Sequence, residues 1–496
     1  MTRHSIIGFI VCFALAGCTL ASTATPRPTR SQASSTPAVS GNPTAPGPAT
    51  TASPLALPQP SVSLPVQSSA REHSDHSVMT APGLDGELFV MIPMREASAV
   101  LALLDTDGRP RAGWPVAIPG ATWCDQLLPV EDGSVRVVCT MRNPDGNMFE
   151  PVSAFAFDRN GRLRSGWPVT VEGFYRTGRV VGEDLTLFVM RSLGDVEVEG
   201  QPTFDGGLVT IAANGGIESG TRVTEPGHCC MWIVRRDGNG YGVSPPRTDV
   251  SPQARVSSVV AVGRSGVLAG WPVSFEGIAS APTSAADGSM LVAVASAEGS
   301  TSRIAVFEPD GSAVSASAAV PIATAEYSGD TGGCVVASPQ APVVARNGTI
   351  FLYSELDTAI VALSPSLETM PGWPFEPGAP LVRARPGFEY EHEAGYCPTP
   401  VVPATGPDGT LYVALQAAGG SGGGRLVAVG LDGRVRAGWP VALTSAGAEF
   451  WSVVVGLDGT IFAVAFEPEG GGMSSATILA IAPDSTVLWT ATIIEP

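Results

Sequence analysis

The residues of this chain with the clearest chemical potential are its cysteines. Cys12 and Cys18 lie near the N-terminus, and the other six are Cys124, Cys139, Cys229, Cys230, Cys334 and Cys397. Thiols form disulfides, bind metal ions or act as nucleophiles. Beyond residue 77 the only histidines are His228 and His392, and no ligand spacing connects them. We therefore expect no metal site.

A second set of candidate residues pairs an aromatic ring with a carboxylate. The pairs are Trp123 with Asp125, Tyr175 with Glu172, Tyr327 with Glu326, Tyr390 with Glu391, and Trp451 with Glu449. Convergent rings and carboxylates suit sugars, amines or cationic peptide segments. Packing at the mouth of a channel explains the same pairs, so both interpretations stay open. Trp232, His228 and His392 complete this set of candidate ligand residues.

The elements that must position these side chains are internal repeats. The motif Gly-Trp-Pro occurs with Trp114, Trp167, Trp271, Trp373 and Trp439, which are 53, 104, 102 and 66 residues apart. Two gaps are about twice the first, which indicates a unit of about 52 residues, and a fixed period of this size is typical of repeat architectures.

Each unit also contains two tight turns, the first followed by an alternating apolar strand and the second preceded by an apolar strand. The first turn has eight copies, at Asp85, Asp132, Asp184, Asp237, Asp287, Asn347, Asp408 and Asp458. Asp-Gly favours two-residue hairpins in which both central residues have positive φ. Each unit thus has four antiparallel strands, A to D, and eight such units predict an all-β, eight-bladed β-propeller.

The order of the strands divides the turns between two rims. The tight A–B and C–D turns share one, here called the turn rim. The longer B–C and D–A loops share the other, the loop rim. We assign the aromatic–carboxylate pairs to its D–A loops, since function usually resides on loops carried by a rigid scaffold. Strand D is the outer edge of a blade, where proline is tolerated and blocks aggregation. We expect the Gly-Trp-Pro tryptophan to pack against the next blade.

We expect Cys139 to end a strand B and the other five later cysteines, Cys124 among them, to lie just ahead of a strand A, so that all six fall on the loop rim. An even number in an exported chain indicates disulfides, and six cysteines allow about 15 pairings. Their placement predicts that Cys124 pairs with Cys139 within one blade and Cys334 with Cys397 between adjacent blades. Cys229 and Cys230 then remain for each other.

The N-terminal residues have the features of a secretory signal and a tether. Residues 1–17 contain an apolar run too short to span a bilayer, and "LAGC" at Cys18 resembles the lipobox of bacterial lipoproteins. Residues 18–76 are rich in Ser, Thr, Pro and Ala, a composition that cannot bury enough apolar surface to fold. We expect an extracytoplasmic, lipid-anchored protein whose propeller covers residues 77–496.

The propeller repeats resemble those of the quinoprotein-like (PQQ-like) propellers, which combine Asp-Gly, a short strand, an alanine-rich strand, a second Asp-Gly and a tryptophan. The resemblance implies an eight-bladed fold but not one function. An adjacent Cys229–Cys230 disulfide resembles the one that lies over the quinone in some PQQ alcohol dehydrogenases. It would imply pyrroloquinoline quinone and Ca²⁺ as cofactors.

Two functional hypotheses follow. We expect a non-catalytic binding or scaffold module with a protein, peptide or carbohydrate ligand and no cofactor, because Gly-Trp-Pro departs from the dehydrogenase repeat. The alternative is a PQQ-dependent oxidoreductase acting on alcohols or sugars. The net charge of −18 opposes nucleic-acid binding. We expect a monomer.

The lipid anchor is tested by replacing Cys18. Cys18→Ala should release the protein from the membrane fraction, because stable anchoring needs acyl chains on that thiol. The Cys12→Ala variant is the control and should stay bound, which fractionation and intact-mass analysis would show. Equal membrane retention of the two variants would refute the anchor.

Overall fold

A computed structural model describes the chain in segments. These are residues 62–65, 78–94, 98–141, 152–171, 174–198, 201–220, 223–226, 231–244, 256–285, 287–296, 301–322, 339–353, 359–382, 401–417, 423–469 and 472–494. All of them belong to one compact unit, Ala52–Pro496. They contain strands and turns and no helix, and they form the eight-bladed β-propeller that the repeats predict.

The first four blades follow a short N-terminal strand, β1 (Val62–Pro65). Blade 1 consists of β2 (Met79–Pro82), β3 (Leu88–Met94), β4 (Ser98–Leu104) and β5 (Val116–Pro119), and blade 2 of β6 (Ala121–Pro129), β7 (Val135–Met141), β8 (Val152–Phe157) and β9 (Val169–Val171). Blade 3 contains β10 (Phe174–Val181), β11 (Leu187–Val198), β12 (Gln201–Ile211), β13 (Ile217–Gly220) and β14 (Val223–Pro226). Blade 4 contains β15 (Met231–Val234), β16 (Gly240–Ser244), β17 (Val256–Gly263), β18 (Gly266–Val267) and β19 (Val273–Glu276).

The last four blades follow the same order. Blade 5 contains β20 (Ile278–Ala279), β21 (Thr283–Ser284), β22 (Met290–Ala295), β23 (Ser302–Phe307) and β24 (Ala313–Ala316), and blade 6 contains β25 (Val343–Val344), β26 (Ile350–Tyr353) and β27 (Ile360–Leu363). Blade 7 contains β28 (Ala404–Thr405), β29 (Leu411–Leu415), β30 (Arg425–Val429) and β31 (Val441–Ala442). Blade 8 contains β32 (Glu449–Val455), β33 (Ile461–Glu469), β34 (Gly472–Ile481) and β35 (Val487–Ile494).

The strands of each blade pair antiparallel in chain order, so strand A is at one edge and strand D at the other. The A strands of neighbouring blades contact one another, and β10 and β15 pair in parallel through Thr177 and Met231. The ring closes where β2 meets β32, with Thr80 Oγ1 3.3 Å from Ser452 Oγ. Strand A is therefore innermost, and strand D faces outwards.

The tight turns differ from the expected two-residue hairpin. Among the described turn residues, only the A–B turn of blade 1 has two central residues with positive φ, Asp85 (52°) and Gly86 (78°). The other A–B turns follow the pattern of blade 2, where Gly133 N donates to Val130 O and Val130 N donates to Ser134 O. Of the loop residues that the structure describes in these turns, only the third has positive φ. This is a type I turn followed by a left-handed residue. The aspartate side chain accepts a hydrogen bond from the backbone N–H two residues later, as Asp132 Oδ1 does from Ser134 N.

Each Gly-Trp-Pro tryptophan contacts the C–D turn of the next blade. Its indole N–H donates to a backbone carbonyl there, with N–O distances of 3.0 to 3.2 Å: Trp114 to Arg159, Trp167 to Ala213, Trp271 to Pro309, Trp373 to Leu431 and Trp439 to Pro483. The Trp–Pro peptide bond is cis in all five copies. The tryptophans are 4–7% exposed, so the predicted packing against the next blade is confirmed. We call this contact the tryptophan junction.

The glycine of the motif is required by the same contact. Gly372 has φ +87°, and a Cβ built on it would lie 2.1 Å from the carbonyl oxygen of Asp432 in the next blade. The approach is mutual, because a Cβ built on Gly433 in that turn would lie 2.2 Å from the carbonyl oxygen of Gly372. The two backbones approach too closely for any side chain.

An aromatic side chain of strand B supports most of these tryptophans. It lies four residues after the aspartate or asparagine of the A–B turn, and its ring centroid is 5.4 to 5.8 Å from the tryptophan ring in the pairs Phe89–Trp114, Tyr241–Trp271, Phe351–Trp373 and Tyr412–Trp439. Blade 2 has Arg136 there, whose guanidinium carbon is 5.5 Å from the Trp167 ring centroid. Apolar side chains of neighbouring blades fill the remaining space.

Two glycines of blade 6 separate the effect of close approach from that of backbone conformation. Gly378 also has positive φ (69°), but nothing lies within 4 Å of a Cβ built there. Gly378→Ala should lower the free energy of unfolding by about 1 kcal/mol, the cost of left-handed backbone. Gly372→Ala should cost about 2 kcal/mol more through overpacking. Urea unfolding measures both, and equal losses would show that the junction does not need the glycine.

Candidate functional site

The structure describes some of the predicted site residues and not others. Cys18, His228, Cys229, Cys230, Tyr327, Cys334, His392 and Cys397 lie outside the described residues. The Cys229–Cys230 and Cys334–Cys397 pairings therefore stay predictions, as do the lipid anchor and the quinone analogy. The described candidates are Cys124, Cys139, Trp232 and Trp451, together with the backbone positions of Trp123, Asp125 and Tyr175.

Four of the predicted loop residues lie in strands. Trp123 and Asp125 belong to β6, Tyr175 to β10 and Trp451 to β32, so their assignment to D–A loops is wrong. Each is near the first residue of a strand A. The register of β6 and of β32 shifts beside Trp123 and Trp451, which marks bulges there. The innermost strands thus begin earlier than expected, and these residues keep their place at the loop-rim end.

One predicted disulfide is present. Cys124 and Cys139 are joined, and they are also register partners on strands A and B of blade 2. Both are buried, at 1% and 0% exposed. Cys124 lies within strand A rather than just ahead of it, because β6 starts at Ala121. The bond ties two strands together near the loop rim, between the backbone positions of Trp123 and Asp125.

Trp451 is the best-described candidate for ligand contact. Its side chain is half-buried, and its ring centroid is 4.2 Å from that of Phe466 on strand B. Glu449 begins the same strand, and it is the register partner of Phe466. Glu467 follows, and its Oε1 accepts a hydrogen bond from Ser445 Oγ at 2.7 Å. Blade 8 thus presents an aromatic pair beside two carboxylates at its loop-rim end.

Trp232 is not a ligand residue, and its prediction as one is wrong. Its side chain is only 2% exposed and packs in the core between blades 3 and 4 with Phe188, Met190 and Val260. A Cβ on Gly242 would lie 2.5 Å from the indole, so the neighbouring strand leaves its space to this ring. The residue type and its position two residues after Cys230 do not report burial.

Arginine–carboxylate pairs occupy the turn rim, and sequence reasoning missed them. The arginine three residues before the tryptophan pairs with the A–B turn of its own blade: Arg111 with Glu87, Arg164 with Asp132 and Arg436 with Asp408. Arg159 from blade 2 adds a second contact to Glu87 at 2.9 Å. The repeated "RxRxGWP" spelling in the sequence is the signal that could have predicted them.

These contacts change the acidity of the groups involved. Burial raises the pKa of Asp132, but hydrogen bonds from Ser134 and the pairing with Arg164 outweigh it and hold the pKa below its ordinary value. The pKa of Asp408 is also lowered, because hydrogen bonds from Thr410 and the Arg436 pairing exceed the effect of burial. Burial and the positive charge of Arg164 lower the pKa of Arg136 to about 10.

A cavity of about 800 Å³ opens on the turn rim at blades 3 to 5. Its charged lining residues are three acids and three arginines, namely Glu183, Asp184, Asp237, Arg235, Arg236 and Arg264. Blade 3 has no Gly-Trp-Pro motif, and here Arg264 from the next blade lies over the ring of Phe188, with the guanidinium carbon 5.2 Å from the ring centroid. At this junction an arginine therefore packs on the strand B aromatic ring that contacts a tryptophan at the other junctions. The cavity's positive and negative charges balance, so it favours no single ligand charge.

The described part of the chain contains no group of three or more His, Cys, Asp and Glu side chains arranged to hold a metal ion. Within the same ranges no helix has the length and hydrophobicity to cross a membrane.

Known proteins resemble this chain only in architecture. No protein-family model matches it, and no curated protein does. A streptogramin B lyase structure has 11% identity and a TM-score of 0.38, covering 69% of this chain and 91% of its own. The β-propeller domain of the Trilobed protease from Pyrococcus furiosus has 9% identity and a TM-score of 0.40, with coverages of 83% and 97%.

A eukaryotic initiation factor structure has 9% identity and a TM-score of 0.46, covering 86% of this chain and 90% of its own. The names of these three proteins describe different functions. The β-propeller assignment therefore rests on the blade topology of this chain, and function has to be argued from its own residues.

The turn-rim pairs predict how stability changes in acid. A carboxylate whose pKa is lowered on folding stabilises the protein above its unfolded pKa, and this stability is lost as the pH falls through the folded pKa. Asp408→Asn should therefore lower the free energy of unfolding by about 0.5 kcal/mol at pH 7 and reduce its fall below pH 4. Asp458→Asn, at the same turn position in blade 8, is the control. Urea unfolding at several pH values measures both, and identical pH profiles for the two variants would contradict this role of Arg436.

Proposed function

We propose that the protein is an extracytoplasmic binding module, held to a membrane by acylated Cys18, that binds its partner on the loop rim. The observation that carries the proposal is the Cys124–Cys139 disulfide. Structural disulfides form and persist in oxidising compartments outside the cytoplasm. This one agrees with the export signal and the "LAGC" sequence at Cys18.

The scaffold beneath the loop rim supports a binding role. Five tryptophan junctions join consecutive blades, and the strand pairs continue to the loop-rim ends of β33 and β34 in blade 8. Binding sites on loops and strand ends gain affinity when a rigid frame holds them in position, because less conformational entropy is lost on binding. The disulfide adds the same constraint next to Trp123 and Asp125.

The chemistry of the rim indicates the class of partner. Trp451 is half-buried and packs against Phe466, with the two rings tilted by 38°, and Glu449 and Glu467 lie nearby in the same blade. An aromatic face with nearby carboxylates suits a cationic peptide segment or a sugar. The net charge of −18 favours cationic partners over anionic ones at long range. We therefore favour a cationic segment of an extracytoplasmic protein.

The binding test uses an array of cationic peptides and neutral oligosaccharides against the mature chain. Trp451→Ala should weaken the strongest interaction at least about tenfold, which is the loss of about 1.4 kcal/mol typical of a contact aromatic. Arg236→Ala is the control, because Arg236 is exposed on the opposite rim and should leave binding unchanged. Equal effects of the two substitutions would contradict a loop-rim site.

The oxidoreductase alternative has its own readout in the same preparation. Pyrroloquinoline quinone and Ca²⁺ are added, the protein is desalted, and the retained cofactor absorbance and dye reduction with alcohols or aldoses are measured. The binding proposal predicts neither retention nor turnover. Stoichiometric retention with turnover would overturn it in favour of the quinoprotein hypothesis.

A further inference from the structure

The outer edge of blade 8 differs from the other outer edges. Strand D of this blade, β35, has eight residues, whereas the described D strands of the other blades have two to four. Its sequence, "VLWTATII", contains no proline, whereas five other blades have the Trp–Pro sequence at the start of strand D. A long outer strand without proline presents unpaired N–H and C=O groups that can pair with another strand.

In the structure this edge is covered by a segment that precedes the propeller. Strand β1 pairs in parallel with β35 over four residues, Val62 with Ala491 through Pro65 with Ile494. Strand β35 pairs with β34 on its other side. The closing blade therefore has five strands, and its outermost strand comes from the residues that the sequence assigns to the tether.

The register of the pair matches apolar positions. Val62 and Leu64 are the register partners of Ala491 and Ile493, which are 0% and 3% exposed and belong to the core shared by blades 8 and 1. Directly paired residues lie on the same face of a sheet. The sequence "VSLP" thus alternates apolar and polar residues in step with β35, which a Ser/Thr/Pro-rich linker without this role does not require.

The chain has enough length to make this contact without strain. Pro65 and Val78 are 13 residue steps apart, which span about 45 Å when extended. A five-stranded blade is only about 20 Å wide from its outer to its inner edge. The connection can therefore run from the outside of blade 8 to the innermost strand of blade 1.

From these observations we infer that the outer edge of β35 is a strand-acceptor site for a short extended peptide, which the chain's own Val62–Pro65 segment fills. Among the described D strands, β35 is the one that is both long and without proline, and the segment covers its outer edge. Strand addition of this kind takes its affinity from main-chain hydrogen bonds and its selectivity from alternate side chains. When the segment is displaced, the edge accepts an equivalent strand from outside the chain.

Consecutive prolines test the inference in the mature full-length chain. Successive N–H groups of a strand point to opposite edges, so Ser63→Pro with Leu64→Pro removes a donor to β35 whichever residue supplies it. Thr50→Pro with Thr51→Pro adds the same residues elsewhere before the propeller and is the control. Amide hydrogen exchange of Ala491–Ile494 is measured in both variants.

Every second amide from Ala491 to Ile494 points towards β1, and the others point towards β34. In the Ser63/Leu64 variant the first set should exchange about tenfold faster or more, whereas the second set and the control variant should not change. Unchanged exchange of the first set would overturn the inference. A synthetic peptide of residues 58–69 should bind the Ser63/Leu64 variant saturably and not the native chain. Equal binding to both would show that the edge is open and would likewise contradict the inference.

Discussion

The tryptophan junction is the interaction on which the ring of blades depends. A blade alone exposes both faces of a small sheet, and it becomes stable only when its neighbours cover them. At the junction the indole buries its rings between two blades while its N–H satisfies a carbonyl of the next C–D turn, as in the 3.0 Å bond from Trp373 to Leu431 O. The glycines on both sides, Gly372 and Gly433, let the two backbones approach. One short motif thus combines apolar burial, a hydrogen bond and close packing.

Two of the junctions without Gly-Trp-Pro use other side chains to cover the strand B aromatic ring, and this makes the ring of blades asymmetric. Between blades 8 and 1, Trp489 of β35 packs where Gly108 leaves space, since a Cβ on Gly108 would lie 2.6 Å from its ring. Trp489 contacts Phe462, which lies four residues after the aspartate of its A–B turn, as Phe89 does in blade 1. Between blades 3 and 4, Arg264 covers Phe188 instead. The ring therefore closes through a tryptophan supplied from a different position, and the open cavity lies beside the junction where Arg264 covers Phe188.

The sequence predicted the architecture because the repeats report it directly. The number of Asp-Gly and Asn-Gly turns predicted the number of blades, and the proline predicted that strand D is the outer strand. The pairing of Cys124 with Cys139 was also predicted. The turn type was wrong because Asp-Gly also fits a type I turn followed by a left-handed glycine, and only φ values distinguish the two. Trp232 was wrongly predicted to face a ligand because nothing in the local sequence shows that its side chain is buried. The β1 strand was not predicted, since a four-residue pairing with sequence-distant β35 leaves no periodic pattern.

The most direct test of the tryptophan junction is exchange of the indole N–H protons, observed by NMR in protein labelled with ¹⁵N-tryptophan. Substitution of each tryptophan in turn by phenylalanine assigns the signals. The protons of Trp114, Trp167, Trp271, Trp373 and Trp439 are predicted to exchange slowly and together, because each is bonded to a carbonyl of the next blade and opens only when two blades separate. Rapid exchange of these five protons in the folded protein would contradict the account.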